Sequence, residues 1–288
     1  MVWQRALIAL AWTAGSMLPV TASASDFWDE VRNPGLAAYR RDLAAGAVAL
    51  ADNRAAEALQ QADAAIARFA GRAGGHVLRG RSLATLGRHQ EASDAFAAAL
   101  ARDPQVLAGE LALLAAASAA HAGRLEQACA VLEQAIGRSH EKPLQAQALL
   151  LHAQLMLARG PAFLEPALRG YRQARQRGAE GPELLLGLAL ATLRDGKRER
   201  ALQLLSHDAA LLPDLHTPQY TPQQPTEVEV QSAAERAARM ALQMQARGQL
   251  ERAIELWASV ARAGGPWAEH AQQQVETLKR EGRSARAR

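Results

Sequence analysis

Small residues return along this chain at a step close to 34 residues, and that recurrence restricts its possible folds more than any other feature. With Tyr39, Ala73, Gly109, Ala146, Pro182 and Ala234 as segment starts, the steps are 34, 36, 37, 36 and 52 residues. The eighth place of each segment reads Gly46, Gly80, Ala116, Ala153, Ala189 and Ala241, and the twentieth reads Ala58, Ala92, Ala128, Ala167, Ala201 and Ala253. The fifteenth reads Asn53, Gly87, Gly123, Gly160, Gly196 and Gly248. Two antiparallel helices approach closely only where the side chains at their crossing are small. Glycine and asparagine tolerate the left-handed backbone that ends a helix. The pattern therefore predicts helical hairpins, each turning at its fifteenth place. The larger residues at the twenty-fourth place, Phe96, Leu132, Tyr171, Leu205 and Trp257, are positioned to fill the space between neighbouring hairpins.

The segment Ala73 to Pro104 carries the pattern most fully, with Gly80, Leu83, Gly87, Ala92, Phe96, Ala99 and Pro104 in register. It resembles a tetratricopeptide repeat, the helix-turn-helix unit of 34 residues. The resemblance implies an all-α chain, a tetratricopeptide-type α-solenoid of about six repeats with a C-terminal capping helix, stabilised by contacts between neighbouring hairpins. Composition agrees with it. The apolar fraction is 49% yet aromatics are 4%, and the apolar class is dominated by alanine, a strong helix former, which argues against sheets and a thick central core. Repeat four needs two extra residues around Pro161-Ala162-Phe163, repeat five loses the pattern after Leu205, and repeat one has Ala62 where the bulky stacking residue is expected.

The segment boundaries follow. Residues 39–210 hold repeats one to five and 231–264 hold repeat six, with 25–38 as an N-terminal cap in which Phe27, Trp28 and Val31 pack on repeat one. Between them, 211–230 contains Pro213, Pro218, Pro222 and Pro225 among glutamines, and is expected to be an extended linker or draped loop. Residues 265–288 form the capping helix and a basic tail; the helix is expected to start at Pro266, with Trp267, Ala271, Val275 and Leu278 as its apolar stripe.

Residues 1–24 have the parts of an export signal: Arg5, an apolar run from Ala6 to Leu18, and a small-residue end at Ala22-Ser23-Ala24. Cleavage is expected after Ala24, giving a periplasmic or secreted chain with no membrane span after cleavage. The run is too short for a spanning helix. Cys129 is the single cysteine, so no intramolecular disulfide can form, and its Ala and Val neighbours predict a buried, structural thiol. The formal net charge is +4, and the last ten residues hold five basic residues against Glu281 alone. The remaining body is near neutral, which argues against nucleic acid as a partner.

No motif for catalysis, a cofactor or a metal emerges. The histidines lack the paired spacing of a zinc site, no serine stands in a Gly-x-Ser-x-Gly elbow, and the glycines Gly71, Gly74, Gly75 and Gly80 lack the ending of a phosphate loop. That glycine cluster reads as a turn between adjacent repeats. The expectation is a chain without catalytic activity of its own.

What the tetratricopeptide resemblance implies about a partner is a concave face lined by the first helices of the repeats. By register, the fifth and ninth places supply Leu43, Val77, Arg81, Leu113, Leu150, Gln154, Leu186 and Leu190, with Arg40 and Arg194 nearby. This face is mainly apolar with scattered arginines, and it lacks the Lys and Asn clamp the family uses for peptide carboxyl termini. It suits an amphipathic helix or an extended apolar peptide with some acidic residues. The expected role is an exported protein-interaction scaffold or assembly factor of the cell envelope. An accessory subunit of an envelope enzyme with dispersed catalytic residues, or a self-associating module, are the alternatives.

Overall fold

The structure is a computed structural model, and it describes residues 31–207 and 227–286. The export signal, Phe27 and Trp28 of the expected N-terminal cap, and the Pro/Gln segment up to residue 226 lie outside the described residues. Among the described residues there are thirteen α-helices, one short 3-10 turn and no strand. The chain divides at the turn of the third repeat into two compact units, one ending at Ala122 and one beginning at Gly123.

The first unit contains α1 (Leu36–Ala51), α2 (Ala55–Arg68), α3 (Ala73–Thr85), α4 (His89–Arg102) and α5 (Glu110–His121). Its two hairpins turn at Asn53 and Gly87, whose φ values of 59° and 75° are left-handed as their place in the register requires. Beyond each turn the chain closes back on the preceding helix: the Arg54 amide donates to the Ala49 carbonyl at 2.7 Å, and the Arg88 amide to Leu83 at 2.9 Å. The same arginines then pair with the first turn of the next helix, Arg54 with Glu57 and Arg88 with Glu91, placing a carboxylate at the positive end of α2 and of α4. At the crossing of α3 and α4 the edge of Phe96 lies over Gly80, where a methyl group would stand 2.7–2.9 Å from the ring. Of the glycine cluster expected as a turn, Gly71 lies in the turn between α2 and α3, whereas Gly74, Gly75 and Gly80 are helical and lie within α3. Tertiary packing overrides the local turn signal: a side chain at Gly75 would meet Ile66 at 2.8 Å and one at Gly74 the Tyr39 hydroxyl at 2.7 Å. Leu36, Tyr39 and Ala65 form a small core that Leu43 and Phe69 extend, with the Tyr39 and Phe69 rings edge to face at 5.6 Å.

The second unit contains α6 (Leu125–Arg138), α7 (Lys142–Arg159), a 3-10 turn (Pro161–Phe163), α8 (Leu164–Gln176), α9 (Pro182–Arg194), α10 (Arg198–His207), α11 (Glu227–Ala246), α12 (Leu250–Ala263) and α13 (Ala268–Arg286). The 3-10 turn is where the two extra residues of repeat four are taken up, and Arg159 stacks over the Phe163 ring there at 3.8 Å. The stacking residues Leu132, Tyr171, Leu205 and Trp257 are all buried, as is Phe96 in the first unit. Tyr171 reaches its place because Gly187 of the next hairpin leaves room, a side chain there meeting the ring at 2.6 Å. Every small residue at the eighth and twentieth places is buried in both units. Cys129 is buried, and burial pushes its thiol above the usual range, so it behaves as a packing group.

Two expected boundaries move. α11 begins at Glu227, inside the 211–230 segment expected to be extended, because helix formation resumes directly after the last proline of that segment, Pro225. The capping helix starts at Ala268 and not at Pro266, since Gly264 and Gly265 both hold left-handed φ of 75° and 84° immediately before it. Its apolar stripe of Trp267, Ala271, Val275 and Leu278 is buried as the spacing predicts.

Candidate partner-binding face

The predicted face lies on the first helix of each hairpin, and the two units present it differently. In the first unit, Arg40, Leu43 and Ala47 follow one another at three and four residues along α1, and Val77 and Arg81 are four apart on α3. Such spacings put each set on one side of its helix. Arg40 and Arg81 are exposed, while Leu43, Ala47 and Val77 are half-buried. Gly74 deepens the face between α1 and α3, because a side chain there would press on Leu43 at 3.1 Å as well as on Tyr39. Leu113, on α5, is buried and contributes to the packing more than to the surface. Asp42, one residue before Leu43, is engaged by Arg68 at 2.7 Å. The result is a half-apolar strip with two exposed cations.

In the second unit the corresponding positions are already covered by the chain itself. Leu150 is half-buried, whereas Gln154, Leu186, Leu190 and Arg194 are buried, which corrects their assignment to an accessible groove. Arg194 explains why. Its side chain is 1% exposed, donates to both carboxylate oxygens of Glu235 on α11 at 3.1 and 2.8 Å, and lies over the Trp267 ring at 4.1 Å. Trp267 in turn donates its indole N–H to the Leu157 carbonyl near the end of α7 at 2.8 Å. Pro266 sits against Gly160, where a side chain would approach it to 2.8 Å. Arg198 adds a second charged tie, pairing with Glu281 of α13. His270 stands edge-on to both Trp257 and Trp267 with centroids 6.0 and 6.1 Å away, and burial, reinforced by Arg194, pulls its pKa down to about 4. Gln154 has neither amide atom hydrogen-bonded among the described residues.

Spacing alone assigned these residues to one side of α7 and α9, but it carries no signal for what lies against that side. Arg194 and Glu235 are 41 residues apart, and only the tertiary fold brings them together. Among the described residues no group of three or more His, Cys, Asp and Glu is arranged to hold a metal ion, and no helix is long and apolar enough to cross a membrane.

No family model matches the chain, and no curated protein does. Among solved structures, it is similar to a tetratricopeptide repeat protein from Parabacteroides merdae ATCC 43184, at 16% identity over 88% of this chain and 89% of that one, with a TM-score of 0.48. It is also similar to the TPR domain of P58(IPK), at 13% identity over 93% of this chain and 72% of that one, with a TM-score of 0.39. The repeated hairpins, the small residues buried at each crossing and the left-handed turn at each fifteenth place are those of all-α, tetratricopeptide-type repeats in each unit. That class rests on this chain's own geometry.

Proposed function

We propose that the chain is an exported protein-interaction scaffold of the cell envelope, without catalysis of its own, and that the face of α1 and α3 receives an amphipathic helix carrying acidic residues. The observation that supports this reading most is the covered face of the second unit. There the same side of the first helices accepts the chain's own helical segments through an arginine-carboxylate pair and an aromatic ring. The face of α1 and α3 offers similar chemistry, with Arg40 and Arg81 exposed beside Leu43 and Val77. A helix with apolar residues at three- and four-residue spacing and carboxylates on its flanks complements it in shape and charge. Export rests on the Met1 to Ala24 segment of the sequence.

Charge reversal tests the site. The Arg40→Glu, Arg81→Glu variant alters only exposed side chains and should melt at the temperature of the parent. It should lose at least about tenfold in affinity for an acidic amphipathic peptide, the scale of a few charge-assisted contacts. A variant that binds the peptide as the parent does removes α1 and α3 from the proposal.

A further inference from the structure

On the opposite side of α9 from Leu190 and Arg194, a cavity of about 400 Å³ opens between α8, α9 and α10. Its apolar lining is Leu168 from α8, Leu188 from α9 and Leu204 from α10. Thr192 adds no free donor, because its hydroxyl already donates to the Leu188 carbonyl at 2.7 Å. Around this apolar floor stand Arg172, Arg175, Lys197 and Arg200, against the single carboxylate of Asp195. Lys197 is paired with Asp195 at 2.6 Å. Among the described residues no carboxylate is within ion-pair distance of Arg172, Arg175 or Arg200. Arg172 is four residues beyond Leu168, and Arg200 four before Leu204, so each helix aims one guanidinium and one leucine at the same space.

We propose that this cavity binds a small soluble anionic amphiphile, a molecule with a phosphate or carboxylate head and a short apolar chain. The head is held by Arg172, Arg175 and Arg200 at the rim, and the chain lies on the three leucines. Two separate features support that class of ligand. Three arginines with no acidic partner among the described residues converge on one opening, and guanidinium groups match phosphate and carboxylate oxygens two at a time. The floor is apolar, which leaves an inorganic anion with nothing to gain beyond the rim. The volume is in the range of small-molecule sites and far below what a folded partner needs. Because the cavity and the α1–α3 face use different residues, this inference stands or falls apart from the proposed scaffold role.

Isothermal titration of the full chain with octyl phosphate, kept below its micelle-forming concentration, tests the proposal against inorganic phosphate, octanol and phosphatidylglycerol vesicles. Saturable binding of octyl phosphate below about 1 mM is expected, with both phosphate and octanol at least about tenfold weaker. The Arg172→Ala, Arg200→Ala variant should weaken octyl phosphate binding by about fivefold or more and reduce its salt dependence, as expected for two exposed contacts. Arg169→Ala, an exposed position on α8 outside the cavity, should leave it unchanged. The proposal is overturned if octyl phosphate does not bind, if phosphate alone binds as tightly, if the double variant binds as the parent does, or if only the vesicles are bound.

Discussion

A methyl group added at Gly80 would stand within 2.9 Å of the Phe96 ring, so Gly80→Ala forces the ring or the helix crossing to shift. Overpacking of this kind costs about 1–3 kcal/mol. Gly87→Ala meets no neighbouring atom but must hold φ near +75°, and its penalty of about 1 kcal/mol comes from the backbone alone. Chemical denaturation separates the two: adding Phe96→Leu should recover much of the loss at Gly80 and none of the loss at Gly87. Two buried groups with large shifts contribute to the dependence of stability on pH. Burial first, then Arg194, depresses His270 to about 4 from an ordinary 6.5, so across that window the unfolded chain binds a proton the folded chain does not. Stability therefore falls as pH drops from 6.5 towards 4, and His270→Gln should reduce this acid arm in a thermal melt, leaving the part due to His76, His89 and His152, which burial also lowers. Burial raises Tyr171 from 10 to about 12, which makes stability fall as pH rises through that interval. The Tyr171 hydroxyl has no hydrogen-bond partner among the described residues, so Tyr171→Phe should reduce the alkaline arm above pH 10, leaving the part due to the buried Cys129 thiol, at little cost near neutrality. At this scale the repeat places were legible, because Gly80, Ala153 and Tyr171 are constrained by a spacing that recurs. Gly74 and Gly75 were not, because the contacts that require them come from Tyr39 and Ile66 of another helix, while a local run of glycine signals a turn.

Among the elements, the decisive contact is that of α9 with α11 and the start of α13. Arg194 sits between Glu235 and Trp267 with almost no access to water, and removing one member leaves the other charge buried without a partner. Arg194→Ala should cost about 3–5 kcal/mol in a denaturant titration, on the scale of broken buried pairs. The expected structural signature is increased hydrogen exchange along α11 and α13, with α1 to α4 of the first unit unchanged; uniform loss of protection through both units would show that the contact is not local. The helices themselves were legible from alanine, leucine and the glycine turns, and only the start of α11 and of α13 moved. The covering of Gln154, Leu186, Leu190 and Arg194 was not legible. Helical periodicity shows which residues share a side, and nothing local in α9 encodes a pairing with Glu235.

At the level of the whole molecule, the proposed role combines export with a face that takes another protein's helix. Export has a simple readout, since the mature N-terminus should be Ser25 when the protein is isolated from the cell that makes it and sequenced. A chain that retains Met1 contradicts it. The central claim is that the side of α1 and α3 bearing Arg40, Leu43, Val77 and Arg81 holds a partner helix. Photo-crosslinking in the living cell tests it most directly, with a photoreactive residue placed at Val77 or Arg81, and at the exposed Arg138 or Arg169 for comparison. The expected result is a discrete adduct from Val77 and Arg81 alone, mapping by mass spectrometry to a segment with apolar residues at three- and four-residue spacing and flanking carboxylates. Equal adducts from all four positions, or an adduct to a basic segment without that spacing, would contradict it.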